Sequence, residues 1–153
     1  MSPRIIHMPL SGGDRKAQAK AMRDARSIAR EYFRQSIVAR SIGEAKIREA
    51  DRLFCDAWTN VTFWGGPTRN SPTIAQAING ERPMLWVKCR RCGREPDVDL
   101  RTIRRKPDTP VHLLEAALFC EPCSAGRKFP QRANLIGLRP EPNDPNASLQ
   151  RAT

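Results

Sequence analysis

Two cysteine pairs with the same internal spacing, Cys89-Arg90-Arg91-Cys92 and Cys120-Glu121-Pro122-Cys123, constrain this chain more than any other feature. A two-residue gap lets one tight turn present two sulfurs to a single ion, so each pair is half of a tetrahedral site. Four thiolates are the donor set that a structural zinc ion takes, because it has no redox cycle and favours sulfur and nitrogen. Cys89, Cys92, Cys120 and Cys123 are therefore the expected metal ligands, with Zn2+ as a structural cofactor. The 27 residues from Gly93 to Phe119 exceed the usual gap between such pairs, so an element must be inserted there. Redox work by a dithiol couple and iron–sulfur ligation are the rival chemistries, and neither pair has the βαβ context of a thioredoxin-like motif. The fifth cysteine, Cys55, has no cysteine near it in sequence and reads as a small buried hydrophobe.

The insert is readable. Val98 to Ile103 alternates as a strand, Thr109-Pro110 is a cap followed by a proline suited to a first helical turn, and Val111 to Leu118 follows as a short helix. Before the first pair, Met84 to Lys88 is an apolar, β-prone run; after the second, Ala133 to Leu138 can return as a strand. The order strand, knuckle, strand, helix, knuckle, strand over residues 84–139 resembles a small four-cysteine zinc ribbon with a helical insertion. Gly93 follows the first knuckle, as a turn needing positive φ would ask, whereas Ser124 holds the matching place in the second, with Gly126 two residues later.

Ahead of this module the periodicity is helical. Met22, Ala25, Ala29, Tyr32, Phe33 and Ser36 recur at threes and fours, while Lys16, Lys20, Arg23, Arg26, Arg30 and Arg34 fall on an arc roughly 125° away. Ser41-Ile42-Gly43-Glu44 fits a capping box and predicts the start of a second helix. Its apolar side would be Ile47, Ala50, Phe54, Ala57, Trp58 and Val61, ending before Gly65-Gly66-Pro67. The two stripes would bury each other. The expected fold is therefore α+β: a flexible leader (1–13), a helical hairpin (14–64), a linker with a short helix at Thr73 to Ile78 behind Ser71-Pro72 (65–83), the ribbon-like module (84–139) and a disordered tail (140–153). Trp86 is expected to pack the ribbon and Trp64 to close the join between modules.

Charge narrows the partners. Of 153 residues, 27 are Lys or Arg against 16 Asp or Glu, a net charge of +11, and a polyanion is the partner such a balance suits. Within 84–139 the cations cluster as Arg90, Arg91 and Arg94 at the first knuckle, Arg104-Arg105-Lys106 after the middle strand, and Arg127-Lys128 after the second knuckle. Arginine's planar fork matches phosphate and guanine edges. These residues, with Arg23, Arg26, Arg30 and Arg34 of the first helix, are the expected contacts to DNA or RNA. A second expectation is a protein-binding adaptor whose hairpin docks on a larger machine such as a polymerase or ribosome. Phe63, Trp64, Trp86 and Phe129 offer aromatic faces to bases or to the core.

Catalysis is not expected. A closed four-sulfur shell leaves no position for a reactive water. The zinc-deaminase signature fails at His112 and Glu115, two residues apart, and at Phe119, where proline should precede the cysteine. There is no His-Glu-x-x-His, Walker loop, Gly-x-Ser-x-Gly or Gly-x-Gly-x-x-Gly motif. No run approaches the roughly 18 apolar residues of a membrane helix, and Met1 to Leu10 lacks the form of a signal peptide. A reducing cytoplasm is the expected location.

Overall fold

A stretch without proline from residue 12 to residue 63 sets the largest element. In the computed structural model, which describes residues 11–142, it forms one helix, α1 (Gly12–Phe63), 52 residues long. The leader (1–13) and tail (140–153) expected from the sequence lie mostly outside the described residues. The helical hairpin is corrected: α1 runs unbroken through Ser41 to Glu44. One interior glycine costs only about 1 kcal/mol against alanine, and with no proline beside Gly43 nothing forces the chain to turn. The capping box is made at the true start instead. Ser11 Oγ accepts the Asp14 amide at 3.1 Å, and Asp14 Oδ2 accepts the Ser11 amide at 3.1 Å. Its far end is a Schellman stop: Gly65 at φ 77° sends its N–H to Thr62 O at 3.0 Å, and the Gly66 N–H reaches Val61 O at 2.9 Å.

The chain divides into two units, 1–44 and 45–153. In the first, the described part is helix, and its apolar residues are open to solvent, Tyr32 at 67% and Phe33 at 70% exposure.

In the second unit, β1 (Met84–Cys89) lies at the centre of a three-stranded antiparallel sheet of order β2-β1-β3, with β2 (Asp97–Asp99) and β3 (Ala133–Arg139) on either side. Alternation along β1 turns Leu85, Val87 and Cys89 inward. A register shift between Trp86 and Val87 skips Ile136 and keeps β3 paired with β1 on both sides of it. The core joins these strands to Cys55 and Trp58 of α1, Ile74 and Ala77 of α2 (Ile74–Asn79), Leu100, and Val111 and Leu114. The mixed α+β class is as expected.

The buried face of α1 meets the predicted stripe only at Trp58. Cys55, buried as expected, and Thr62 complete it, whereas Ile47 is 61% and Val61 48% exposed. Polar groups turn this face inward. Asp51 accepts from Asn79 Nδ2 at 2.7 Å, Asp56 holds Arg82, Thr59 Oγ1 accepts the Leu138 amide at 2.9 Å, and Trp58 Nε1 donates to Thr68 O at 3.0 Å. Close approach is also required at Gly137, where a Cβ would overlap the Thr59 methyl.

Local predictions shift in similar ways. α2 is capped by Thr73 with Gln76, not by Ser71. The strand expected over 98–103 becomes β2 followed by a 3-10 turn at Leu100–Thr102, because Asp99 caps that turn by accepting the Arg101 amide. The insert helix is a 3-10 helix, Val111–Ala117, and Thr109 gives it no side-chain cap. Among the described residues no helix is long and apolar enough to cross a membrane.

Candidate metal centre and its basic surround

The first knuckle grows directly from β1. The Cys89 N–H donates to Arg94 O at 2.9 Å and the Gly93 N–H to Cys89 O at 3.1 Å, with Gly93 at φ 71°. The second is a single helical turn, α3 (Glu121–Ser124), with Pro122 in its first positions. Ser124, the residue that breaks the symmetry with Gly93, has a task of its own. Its hydroxyl donates to Cys120 O at 2.6 Å and accepts the Gln131 amide at 2.8 Å, closing the loop back to β3. The positive φ is displaced to Gly126, at 71°. The Phe119–Arg132 bridge and the Cys120 N–H to Gln131 O bond at 2.8 Å then hold this knuckle beside the first.

The sulfurs of Cys89, Cys92, Cys120 and Cys123 all lie within 4.8 Å of one another, and Cys92 Sγ is 3.8 Å from Cys120 Sγ. Four sulfurs about 2.3 Å from one ion, at tetrahedral corners, are about 3.8 Å apart. A disulfide would need about 2.05 Å, and all five cysteines are free. The four could hold a metal ion. Electrostatics agrees with a need for one. Backbone amides of Cys92 and Arg91 lower the Cys89 thiol to about 6, while the neighbouring Cys92 sulfur and burial push Cys123 up to about 12. Four adjacent thiols resist joint ionisation until a cation enters among them. Cys55, by contrast, is completely buried in the core, and desolvation raises its thiol to about 12.

The surrounding cations separate into two groups. Lys88 pairs with Glu95 at 2.8 Å, Arg101 with Asp99 at 2.9 Å and Glu141 at 3.1 Å, and Arg139 with Asp97 at 3.6 Å. The Arg139 guanidinium also lies 3.4 Å from the centroid of Trp86, whose Nε1 donates to Glu95. None of these three cations belongs to the predicted contact set. Arg90, Arg91, Arg94, Arg104, Arg105, Lys106, Arg127 and Lys128 are all exposed and make no ion pair among the described residues. Of the helix residues, Arg23, Arg26 and Arg30 are likewise exposed and make no ion pair among the described residues, while Arg34 is held by Glu31 at 2.6 Å.

Among the aromatics, Trp86 is half-buried and packs 5.6 Å from Phe63, as a structural residue would. Trp64 is 79% exposed and touches Phe63 edge-on at 5.3 Å, so it does not close a join. Phe129 is exposed beneath Lys128. Sequence reasoning missed Arg69 and Arg132, which share a cavity with Arg90; isolated arginines far apart in sequence carry no pattern that a spacing rule detects. Comparison of the chain with protein-family models, curated proteins and solved structures finds no match.

Proposed function

We propose that this chain is a non-enzymatic, zinc-stabilised nucleic-acid-binding regulator or accessory factor, its second unit a ribbon-like module, working in the cytoplasm on DNA or RNA. The observation that carries the reading is the sulfur cluster set within exposed, unpaired arginines. Within residues 84–139 the formal charge is +6, and four thiolates with one divalent cation leave it near +4. After Lys88, Arg101 and Arg139 are neutralised locally, the charge that remains accessible is concentrated on the knuckles and on Arg104-Arg105-Lys106. Zinc is favoured over other metals because the donor set is four sulfurs in tetrahedral proportion, a closed shell that suits a structural ion.

Metal analysis of the purified chain, beside an oligonucleotide shift assay run over a range of salt, tests this reading. One zinc per chain and an affinity that falls linearly on a log–log salt plot are expected. Arg90→Ser, Arg91→Ser, Arg104→Ser and Arg105→Ser together should weaken binding and flatten that slope. Unchanged binding by the quadruple variant would remove the proposed contacts.

A second reading, a protein-binding adaptor, has one observation of its own. Met22, Tyr32 and Phe33 are more than half exposed on one side of the first unit's helix, and such a stripe is the usual signature of a partner surface. Loss of partner capture by Tyr32→Ser with Phe33→Ser, at unchanged oligonucleotide affinity, would favour it.

A further inference from the structure

Four separate segments of the second unit converge on one cavity of about 380 Å³. The loop after α1 supplies Arg69, the first knuckle Arg90, the 3-10 helix His112 and Glu115, and the approach to β3 Arg132. We propose that this cavity is an anion site that takes a phosphate group. The nucleic-acid side of the assignment rests on the function proposed above; the anion site itself does not.

Charge and chemistry point the same way. Three arginines and one glutamate line it, and Glu115 Oε1 already accepts the Leu135 amide at 3.1 Å. Acidic partners neutralise Arg82, Arg101 and Arg139 elsewhere in this unit, yet Arg69, Arg90 and Arg132 make no ion pair among the described residues. Unneutralised guanidiniums brought together repel one another, and a dianion between them removes that repulsion. Their forks bond phosphate oxygens in pairs.

Two of the lining side chains, Arg90 and His112, are held by neighbours, while Arg69 and Arg132 are exposed. Arg90 Nε donates to Asn134 Oδ1, which holds the guanidinium's plane and leaves its terminal nitrogens available. His112 is pinned through Ser71, whose Oγ accepts the His112 amide at 3.0 Å and lies 2.9 Å from Nδ1. The volume lies at the low end of the roughly 300–1,000 Å³ of small-ligand sites, room for a phosphate that carries a sugar.

The test is a titration of the full-length chain with inorganic phosphate and then with a nucleoside monophosphate, followed through the His112 ring resonances. The chain has two histidines, so a His7→Gln variant assigns them. Saturable shifts are expected, weakened at least tenfold by Arg69→Ser with Arg132→Ser while circular dichroism and metal content stay at wild-type values. Acetate at equal ionic strength should produce no saturable shift. The same double variant should lower the salt slope of oligonucleotide binding by up to about one, for the single phosphate the cavity takes. Comparing oligonucleotides with and without a 5′-phosphate separates the sources. A preference for the former assigns a terminal phosphate, and equal affinity assigns the backbone. Phosphate shifts that do not saturate, or that the folded double variant leaves unaltered, would overturn the proposal. Saturable phosphate binding with no oligonucleotide binding at low salt would uphold the site and sink the nucleic-acid reading instead.

Discussion

The bond between Asp56 and Arg82 tests whether the second half of α1 is a structural part of the unit that carries the four-cysteine cluster. Arg82 is nearly sequestered, its side chain 5% exposed, and it reaches Asp56 through Nε at 2.7 Å and a terminal nitrogen at 3.1 Å, with a further bond to Glu81 O at 3.1 Å. Asp56 is 42% exposed. A fully buried pair broken from one side costs about 3–5 kcal/mol, and an exposed pair about 0.2–1 kcal/mol. With the cation buried and the anion half in water, Asp56→Ala should cost about 2–3 kcal/mol, or about 30- to 150-fold in the folding equilibrium. For a unit of this size that is roughly 8–20 °C in Tm. Arg82→Met removes the cation that needs a partner and should cost only about 1 kcal/mol, and the double variant should be no worse than Arg82→Met alone. Urea titration followed by tryptophan fluorescence, at a fixed zinc concentration, reads both effects because Trp58 is buried two residues from Asp56. Strict additivity of the two substitutions, or a cost below about 0.5 kcal/mol for Asp56→Ala, would refute the reasoning.

Two further outcomes follow from the cysteines. Strong chelation, or Cys92→Ser, should unfold the second unit and expose Trp58, since structural zinc contributes about 10–16 kcal/mol in small peptides and net domain stability is only about 5–15 kcal/mol; a red shift in tryptophan emission on chelation checks it, and unchanged emission with full metal content would contradict it. Cys55, whose thiol is raised to about 12 by burial, holds its proton in the fold where the unfolded chain has lost it. Its contribution to stability is thus whole below about pH 8.5 and declines as pH climbs through that value toward 12. Urea midpoints at pH 8 and pH 10.5 should drop less in Cys55→Ala than in wild type, although the variant starts lower.

The sulfur cluster was legible because its signal is chemical and local: two cysteines at a fixed gap can do few other things, and 89, 92, 120 and 123 converge as their spacing implied. β1 and β3 were legible for a related reason, being short apolar runs bounded by turn residues. The face of α1 was legible only at Cys55 and Trp58. Periodicity finds apolar stripes, but the side of α1 that packs is selected by Asp51, Asp56 and Thr59, whose partners Asn79, Arg82 and Leu138 lie 26 to 79 residues away. Ser71-Pro72 was misassigned through the same blindness. Ser71 had a better use, bonding His112 across 41 residues, and Thr73 with Gln76 capped α2 in its place.

Ser41-Ile42-Gly43-Glu44 shows how two readings of one motif can be separated by experiment. A capping box is a local preference worth about 1 kcal/mol, and it competes with the hydrogen bonds of a helix that otherwise continues on both sides. α1 keeps those bonds. Gly43 then sits inside a helix, at a negative φ and with no heavy atom within 4 Å of where its Cβ would stand. Replacement by alanine meets no obstruction and removes the excess backbone freedom of glycine, so Gly43→Ala should add helical signal at 222 nm and stabilise α1 by about 0.5–1 kcal/mol. Gly43→Pro should do the reverse, costing about 3 kcal/mol and dividing the helix near that point. If the chain instead turned at Ser41 to pack two helices on each other, proline near the turn would be tolerated and alanine would gain nothing. Equal helicity for the two variants would therefore mean that α1 is interrupted in solution, and that the exposed stripe of Tyr32 and Phe33 is covered after all.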